Sequence, residues 1–244
     1  MKRAIVMGAS SGLGFEVSRL LLAEGWQVGV AARRAARLEA LGQQFPGQVQ
    51  AMRIDVNDEG AAGQLLLLIE KVGGMDLYLH VSGIGKQNPV LDAGIEQQTV
   101  CTNALGFTRL VDAAFHYFAG HGGGHLAVIS SIAGTKGLGV APSYSATKAF
   151  QNVYIDALEQ QAALRRLPIR FTDIRPGFVD TDLLSGSARY PMLMDRHFVA
   201  RRIVKAIRRQ ARVKVIDRRY ALLVLGWRLI PRWLWRRLPV KTKG

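Results

Sequence analysis

The sequence predicts an α/β protein, a doubly wound parallel sheet of about seven strands with helices on both faces. The main observation is that apolar runs of strand length alternate with segments of helical periodicity along most of the chain. A second observation is that the first apolar run, Ala4 to Met7, leads at once into a glycine-rich turn and a helix that extends to about Glu24. The other predicted strands cover residues 27–32, 76–81, 126–129, 167–174 and 213–216, and one more ends near Val56.

The length and composition indicate one large domain followed by a short tail. The chain has 244 residues and is 49% hydrophobic, which is enough to bury a substantial core. We assign residues 1–218 to a single domain and residues 219–244 to a tail. Cys101 is the single cysteine, so no internal disulfide forms, and we expect a cytoplasmic location. The apolar run near the N-terminus is too short for a signal peptide.

The formal net charge of +15 comes from the end of the chain. Residues 1–195 contain 17 Lys and Arg and 17 Asp and Glu, whereas residues 196–244 contain 16 basic residues and one acid, Asp217. The body is therefore neutral and the C-terminal part carries the whole excess. This distribution argues against a nucleic-acid-binding fold for the domain as a whole.

The glycine-rich turn after the first strand predicts a dinucleotide site. Its glycines are spaced Gly-x-x-x-Gly-x-Gly. Such glycines permit a tight turn and the close approach of a pyrophosphate, which the helix N-terminus stabilises. A turn without a ligand is the alternative, because glycine turns are frequent. The predicted cofactor-binding residues here are Gly8, Ser10, Ser11, Gly12, Leu13 and Gly14.

The ends of the second and third strands predict how the adenosine is bound. The second strand ends in Arg33 and Arg34 with no acid. An arginine here would pair with a 2′-phosphate, so Arg33 predicts NADP(H) as the preferred cofactor, with NAD(H) as the alternative. Two solvated arginines that open the next helix are the other interpretation. Asp55, which precedes Val56, is placed either to accept from the adenine amino group or to cap the following helix.

Tyr144 and Lys148 form the central pair of the sequence. If this stretch is helical, a phenol and an ammonium four residues apart share one face, which suits proton transfer. The spacing alone is common and equally fits two unrelated surface residues. However, Ser131, Gly177 and Thr181 all follow predicted strands, and ligands in such sheets bind outside the carboxyl ends of the strands.

Two further polar patterns are less specific. Asn103 lies inside a long predicted helix, residues 95–118, where asparagine is a poor helix former. His121 and His125 lie in a glycine-rich turn without a third ligand, so we interpret them as loop residues and predict no metal site.

Taken together, these residues resemble the short-chain dehydrogenase/reductase family over about residues 2–216. Besides the glycine motif, the residues that occur in the family's order are Asn103, Ser131, Tyr144, Lys148, Pro176 and Gly177. Ser131 precedes Tyr144 by thirteen residues. The resemblance implies a Rossmann-like fold and an NADP(H)- or NAD(H)-dependent interconversion of a carbonyl and a secondary alcohol.

The resemblance also implies roles for individual residues. Tyr144 is the expected general acid/base, and Lys148 activates it, because a phenol with a pKa of about 10 needs a nearby cation to ionise near neutrality. Ser131 would hydrogen-bond the substrate oxygen. Lys148 would also bond the nicotinamide ribose, and Asn103 would open a helix to hold a water for proton relay. Together with Val56, the further cofactor-binding residues implied are Gly83, Tyr144, Lys148, Pro176, Gly177, Val179 and Thr181.

One stretch departs from the family pattern. The family has Asn-Asn-Ala-Gly after the fourth strand, whereas this chain has His80, Val81, Ser82 and Gly83. The first asparagine normally stabilises the central sheet, so His80 must satisfy its neighbours in another way. Ser11 likewise stands where some NADP-using members have a basic residue, which leaves Arg33 alone in predicting the cofactor.

The segment that closes over the substrate in this family corresponds to residues 182–196. Its apolar side chains predict a hydrophobic substrate, lipid-like, acyl or steroid-like, although they could also simply pack on the core. The predicted substrate contacts are Ser131, Tyr144, Leu183, Tyr190 and Met192. A basic amphipathic helix over residues 197–211 follows, and its apolar face is expected to pack on the core.

The tail combines leucines and tryptophans with arginines. Its longest uncharged run, Tyr220 to Trp227, is too short to span a bilayer, which needs about 20 residues. Trp and Leu beside Arg suit the headgroup boundary of an anionic membrane. We therefore predict peripheral membrane association through residues 220–239, with packing across a partner subunit as the alternative.

A second class of function is a cofactor-sensing or nucleic-acid-binding protein built on a reductase body, with tail tryptophans that stack on bases. Such a protein has little reason to keep the catalytic residues together, so we predict an enzyme without a nucleic-acid partner. By the resemblance, subunits form a homodimer or homotetramer through the helices predicted at residues 95–118 and 143–164.

Overall fold

The computed structural model describes residues 1–184 and 190–240, apart from the side chain of residue 35. Within these ranges the strands are β1 (Arg3–Met7), β2 (Gln27–Ala32), β3 (Val49–Arg53), β4 (Leu77–His80), β5 (Gly124–Ile129), β6 (Ile169–Arg175) and β7 (Val213–Val215). They form one parallel sheet in the order β3-β2-β1-β4-β5-β6-β7. The predicted doubly wound sheet is therefore confirmed.

The helices that cover the sheet are α1 (Gly12–Ala23), α2 (Ala35–Gln44), α3 (Ala61–Val72), α4 (Ala93–Val100), α5 (Phe107–Gly120), α6 (Pro142–Leu164), α7 (Arg196–Arg208), α8 (Arg218–Leu229) and α9 (Arg232–Trp235). A π-helical turn, Cys101–Gly106, joins α4 to α5. Short 3₁₀ turns follow β5 at Ile132–Thr135 and β6 at Asp182–Leu184.

The alternation of side chains along β1 explains why helices lie on both faces. Ala4 and Val6 point into one apolar layer, and Ile5 and Met7 point into the other. The first layer is closed by α1, α2, α7 and α8, and the second by α3, α5 and α6. The strand order reverses between β1 and β4, so a crevice is expected at the carboxyl ends of these two strands.

Two predicted boundaries need correction. The third strand ends at Arg53, before Asp55 and Val56, because the chain already turns at Asp55. The helix predicted over residues 95–118 is interrupted in its middle by the π-helical turn that contains Asn103, although helical periodicity continues through it. The helix that carries Tyr144 and Lys148 begins at Pro142 and ends at Leu164, as the periodicity predicted to within a residue.

The C-terminal extension, which we define as residues 218–235, folds onto the body as α8 and α9. Tyr220 and Val224 on α8 are 1% and 4% exposed and belong to the same apolar layer as α7. The opposite face of α8 is open, with Leu222, Leu225 and Leu229 all exposed. Within the described residues, every helix is too short or too polar to traverse a bilayer.

Candidate active site

The turn between β1 and α1 has the geometry of an anion site. Gly8 has a φ of +98°, and a Cβ there would lie 2.7 Å from the backbone nitrogen of Ser82, so only glycine fits. The Ser11 side chain does not cap α1, and the first turn of α1 contains no acid. The helix therefore presents uncapped N–H groups and its positive end to the crevice, which fits the pyrophosphate of a dinucleotide.

Arginines lie beside this turn at the end of β2. The Arg34 Nη2 donates to Ser11 Oγ at 2.8 Å, and Arg37 Nη1 donates to Asp182 Oδ2 at 3.2 Å. The hydrogen bond from Arg37 is the main cause that lowers the pKa of Asp182. Arg33, the predicted partner of a 2′-phosphate, is exposed at the same edge. Sequence reasoning missed Arg34 and Arg37, although Arg34 adjoins Arg33 and Arg37 follows one helical turn later.

The other predicted cofactor residues lie around the same crevice. Thr181 packs beside the glycine turn, since a Cβ on Gly12 would lie 3.3 Å from Thr181 Cγ2. The Asp55 Oδ1 accepts from the Asn57 N–H at 3.1 Å, so this carboxylate stabilises a local turn, and α3 begins only at Ala61. The positions at the carboxyl ends of their strands or in the following turns are Gly8, Ser10, Ser11, Asp55, Val56, Gly83, Pro176, Gly177, Val179 and Thr181, whereas Gly12, Leu13 and Gly14 begin α1.

Ser131 and Tyr144 meet at the centre of the crevice. Ser131 follows β5 and Tyr144 lies in the first turn of α6, and the Ser131 hydroxyl is close enough to influence the pKa of Tyr144. Burial raises the pKa of Tyr144, while the Ser131 hydroxyl opposes this increase. A Cβ on Gly85 would lie 2.5 Å from the Tyr144 ring, so glycine lets the β4–α4 loop pass close over the phenol.

The Lys148 ammonium lies behind the Tyr144 ring, 5.9 Å from the ring centroid. It donates to the Ile129 carbonyl at 3.1 Å and to Gln151 Oε1 at 2.9 Å. Burial lowers the pKa of Lys148 to about 8, and the negative charge of Asp173 opposes this decrease. The lysine is 4% exposed, so its charge acts on Tyr144 with little screening by solvent.

Asn103 is locked in place by its neighbours. Its amide group exchanges two hydrogen bonds with the backbone of Ile84, at 2.9 Å and 2.7 Å, and donates to Thr147 Oγ1 at 3.2 Å. Its main-chain carbonyl accepts from Gln151 Nε2 at 2.8 Å. The fully buried Gln151 therefore links Asn103 to Lys148, and sequence reasoning missed this residue.

His80 replaces the family's first asparagine with a buried pair. The Tyr78 hydroxyl lies 3.0 Å from His80 Nδ1, and Phe107 packs edge-on at 5.1 Å between ring centroids. Burial, assisted by the charge of Lys148, lowers the pKa of His80 to about 3, so the imidazole is neutral near pH 7. The Tyr78 hydroxyl and His80 Nδ1 thus pair inside the sheet, whereas His80 Nε2 is buried and has no hydrogen-bond partner among the described residues.

The β6–α7 loop, residues 176–195, brings the predicted substrate residues to the crevice side of the sheet. Its two ends are tied together where Asp180 N donates to the Met194 carbonyl at 2.9 Å. The Tyr190 ring lies 4.9 Å from that of Phe178. Met192 packs against the apolar core, whereas Leu183 is 42% exposed. Residues 185–189 lie outside the described residues.

Of the two histidines interpreted as loop residues, His121 follows α5, whereas His125 lies in strand β5, so the interpretation was wrong for His125. Both rings contact protein groups. The His121 ring stacks on Tyr117 at 4.0 Å, and His125 Nε2 lies 2.8 Å from Thr172 Oγ1. In the described part of the chain, no three His, Cys, Asp or Glu side chains are grouped so that they could hold a metal ion.

The chain is similar to known proteins over nearly its whole length. The sequence model of the short chain dehydrogenase family matches residues 2–189. An uncharacterised oxidoreductase of Mycobacterium tuberculosis is 32% identical over 243 residues, which cover 95% of each chain.

Two solved structures have the same fold. One is a short-chain dehydrogenase from Streptomyces avermitilis, with a TM-score of 0.81 and 21% identity, covering 93% of both chains. The other is a tyrosine-to-phenylalanine variant of ElxO with NADPH bound, with a TM-score of 0.79 and 20% identity, covering 91% of this chain and 99% of ElxO. The family match over residues 2–189, together with the 32% identity to the Mycobacterium tuberculosis oxidoreductase, identifies the chain as a member of the short-chain dehydrogenase family.

Proposed function

We propose that the protein is an NADP(H)-dependent oxidoreductase that interconverts a carbonyl and a secondary alcohol, with Tyr144 as the general acid/base. The observation that carries this proposal is the meeting of Ser131, Tyr144 and Lys148 beside an uncapped helix N-terminus. When bound, the nicotinamide supplies or accepts the hydride. The side chains of this chain then have to orient the substrate oxygen and move one proton.

In the direction of reduction, the Ser131 hydroxyl holds the carbonyl oxygen near the phenol. Tyr144 keeps its proton in the free protein because burial raises its pKa, and it can therefore donate that proton as negative charge develops on the oxygen. The Lys148 ammonium then stabilises the phenolate. Oxidation uses the same groups in reverse, with the phenolate as the base.

The preference for NADP(H) rests on Arg33 and is supported by Arg34 at the same edge. Arg34 lies on Ser11 of the glycine turn, where a guanidinium can pair with a phosphate. NAD(H) has no 2′-phosphate to pair with these arginines, so it should bind less tightly than NADP(H). Comparing kcat/KM for both cofactors in the wild type, Arg33→Asp and Arg34→Asp tests this preference. A ratio unchanged in both variants would exclude it.

The test of the activity is a panel of carbonyl compounds, from short ketones to long-chain acyl and steroid compounds, assayed with NADPH. We expect turnover of hydrophobic carbonyls and a fall in kcat of about 10²- to 10⁴-fold in Tyr144→Phe. Tyr117→Phe, on α5 and remote from the crevice, is the control. A wild type that is inactive across the panel and binds DNA with a steep salt dependence would instead favour the nucleic-acid alternative.

The substrate is proposed to be hydrophobic because the loop that would cover it is apolar. Leu183, Tyr190 and Met192 stand on this loop, which begins one residue after β6. An apolar pocket gains affinity with every buried methylene, roughly 0.8 kcal/mol each. KM should therefore fall steadily along a series of ketones of increasing chain length.

Peripheral binding to an anionic membrane, on the cytoplasmic side, is the proposed role of the outer face of the extension. Leu222, Leu225 and Leu229 form one exposed stripe at helical spacing, and Trp233 continues it with 61% exposure. Basic side chains flank this stripe, which suits anionic headgroups. Packing on a partner subunit is the competing explanation.

Flotation with anionic vesicles distinguishes the two. We expect the full chain to float and the double variant Leu225→Gln/Leu229→Gln to remain in solution. Leu66→Gln/Leu67→Gln, on the exposed face of α3, is the matched control. Equal recovery of all three forms would exclude membrane binding through this face.

Subunit pairing is proposed to use α4, α5 and α6. Val100, Leu105, Phe150 and Val153 on these helices and the intervening turn are between 40% and 68% exposed. Apolar side chains on neighbouring helices suit a helix-to-helix interface. Val153→Glu should yield monomers in sedimentation experiments if this surface pairs the subunits.

A further inference from the structure

The C-terminal extension contacts both loops that flank Tyr144. The β5–α6 loop, residues 130–141, carries Ser131 and leads into Tyr144. The β6–α7 loop, residues 176–195, carries the candidate substrate residues. Neither hydride transfer nor proton transfer, as proposed above, uses any residue of the extension.

The first contact is made by the buried hydroxyl of Tyr220. This hydroxyl accepts from the Phe178 N–H at 3.1 Å and donates to the Pro191 carbonyl at 2.9 Å, with the Met192 carbonyl at 3.2 Å. Phe178 lies near the start of the β6–α7 loop, whereas Pro191 and Met192 lie near its end. One side chain from α8 therefore holds both arms of this loop.

The ring of Tyr220 also determines the residue at position 177. A Cβ on Gly177 would lie 2.2 Å from Tyr220 Cζ and 2.4 Å from two further ring atoms. The φ of Gly177 is not in the left-handed region, so the constraint is space and not backbone conformation. The loop and α8 are thus fitted to each other at this point.

The second contact lies at the other end of the extension. Trp235 Nε1 donates to the Gly137 carbonyl at 2.7 Å, and Lys136 Nζ donates to the Ile230 carbonyl at 2.8 Å. The Lys136 ammonium also lies 5.5 Å from the Trp235 ring centroid, and Trp227 packs edge-on against the same ring. Both Lys136 and Gly137 belong to the β5–α6 loop.

Helix α8 separates Tyr220 from Ile230, its C-cap residue, whose carbonyl accepts from Lys136. Trp235 lies beyond the end of α8, on α9, and packs against Trp227 of α8. From Tyr220 to Ile230 the chain advances ten residues, or about 15 Å at the rise of an α-helix. Because a helix resists stretching and bending, its ends set the separation of the groups bound to them. The two loops are otherwise connected to each other near Ser131, where Ile132 N donates to the Pro176 carbonyl at 3.1 Å.

We propose that the C-terminal extension is a brace for the substrate pocket, in which Tyr220 and Trp235 are positioning residues that hold the two loops at a fixed separation. The proposal rests on the proposed function in that the braced pocket is the one that presents a carbonyl to Tyr144. The brace sets how well the substrate fits and leaves proton transfer to the groups already described.

Steady-state kinetics of Tyr220→Phe and Trp235→Phe test the brace. Phenylalanine keeps the ring and removes the hydroxyl or the indole N–H. We expect KM for a hydrophobic ketone to rise about tenfold, because the two loops lose the hydrogen bonds that hold them to the extension, whereas kcat and the Kd for NADPH stay within about twofold of wild type. Tyr117→Phe and Trp26→Phe are the matched controls and should keep the wild-type KM.

Hydrogen exchange is the second readout, and it does not require turnover. Both variants should exchange faster at residues 176–184, 190–195 and 130–141, and at wild-type rates in β1 and β4.

If the wild type turns over no carbonyl, the proposed function fails, and hydrogen exchange alone then decides whether the extension acts as a brace. If Tyr220→Phe does not fold, Trp235→Phe decides it. Unchanged KM and exchange in a folded variant, or a loss of kcat and Tm with KM unchanged, would overturn the proposal.

Discussion

The residues of the proposed active site and the C-terminal extension differ in how they contact solvent. Asn103, Lys148 and Gln151 are 0%, 4% and 0% exposed, and each is hydrogen-bonded within the body. In contrast, Leu222 and Leu229 of the extension are 70% and 78% exposed. The proposed catalytic residues thus lie in a desolvated network, while the extension packs on the body through one face and leaves the other exposed.

The two regions also differ in electrostatics. In the body, the Lys148 ammonium donates to carbonyl and amide oxygens at short range, and the negative charge of the buried Asp173, which is itself paired with Arg175, also favours its charged form. The extension contains four arginines and no acid, and the adjoining Asp217 is already engaged by Arg219. Salt should therefore affect contacts made by the extension far more than it affects turnover.

Removing one amide group tests whether the buried hydrogen-bond network around Lys148 is needed for turnover. Gln151→Leu keeps the side chain's bulk but leaves the Asn103 carbonyl without its donor and removes one acceptor from Lys148. We expect kcat to fall about 10- to 100-fold, since an unsatisfied buried polar group costs about 1–3 kcal/mol. The measurement is kcat as a function of pH with saturating NADPH.

Two further substitutions help to identify the cause of the expected fall in kcat. Gln151→Glu keeps an acceptor for the ammonium and adds a negative charge, so it should raise the pKa of Lys148 and move the corresponding limb of the pH profile upward. Gln161→Leu, at an exposed position on the same helix, is the control. A kcat for Gln151→Leu equal to that of the wild type would show that the network does not serve catalysis.

The contact between Gly177 and the Tyr220 ring connects the two regions and provides a second prediction. Gly177→Ala places a methyl group against the Tyr220 ring, and we expect it to lower the free energy of unfolding by about 1–3 kcal/mol, as overpacking does. In a Tyr220→Ala background the same change should cost much less, since the ring is gone. Denaturant unfolding of the four proteins gives the coupling, and Gly63→Ala, which meets no neighbour on α3, is the control.

If the losses of unfolding free energy from Gly177→Ala and Tyr220→Ala add strictly, the loop and the extension are not energetically coupled through this contact. The clash would then be relieved by movement of the loop alone, and Tyr220 would not set its position. Coupling of the expected sign would instead show that the two regions share one packed contact.

Acid sensitivity should belong to the body, because the extension contains no histidine. The pKa of His80 is lowered to about 3 and that of His125 to about 4, in both cases mainly by burial. Below about pH 6.5 the unfolded chain binds protons that the folded chain does not, so stability falls as pH falls toward these values. Each histidine contributes a slope of at most about 1.4 kcal/mol per pH unit.

Replacing His80 tests this assignment. His80→Asn, which inserts the residue type that the family has at this position, should reduce the slope of unfolding free energy between pH 6 and pH 4 by about 1 kcal/mol per pH unit. His116→Asn, at an exposed position, is the matched substitution. A slope that His80→Asn leaves unchanged would place the acid sensitivity in other groups.

Local periodicity explains which features were predictable. The helix from Pro142 to Leu164 and the alternating strands are encoded in short stretches, so they were predicted to within a few residues. Tyr144 and Lys148 could be predicted as site residues only because Ser131 and Asn103 precede them at the spacing found in the family. The π-helical turn at Asn103 was hidden, since apolar side chains continue at helical spacing through it.

Contacts between distant residues were beyond the reach of such patterns. Gln151 stands three residues after Lys148, so its helical face was available, but nothing local marks a buried glutamine as a link to Asn103. The bond from Trp235 to Gly137 joins residues 98 positions apart. Its formation depends on the whole sheet being assembled, which no single stretch of sequence encodes.

The position of Tyr220 late in the chain has a consequence for biosynthesis. A ribosome makes the sheet, the glycine turn and the Tyr144 helix before it makes α8. During that interval both loops lack the hydroxyl of Tyr220 and the indole of Trp235, although β1 to β6 can already pair. A nascent chain would thus contain the residues of the proposed nucleotide site before those of the proposed brace, and a chain that stopped between β7 and position 220 would contain the first and lack the second.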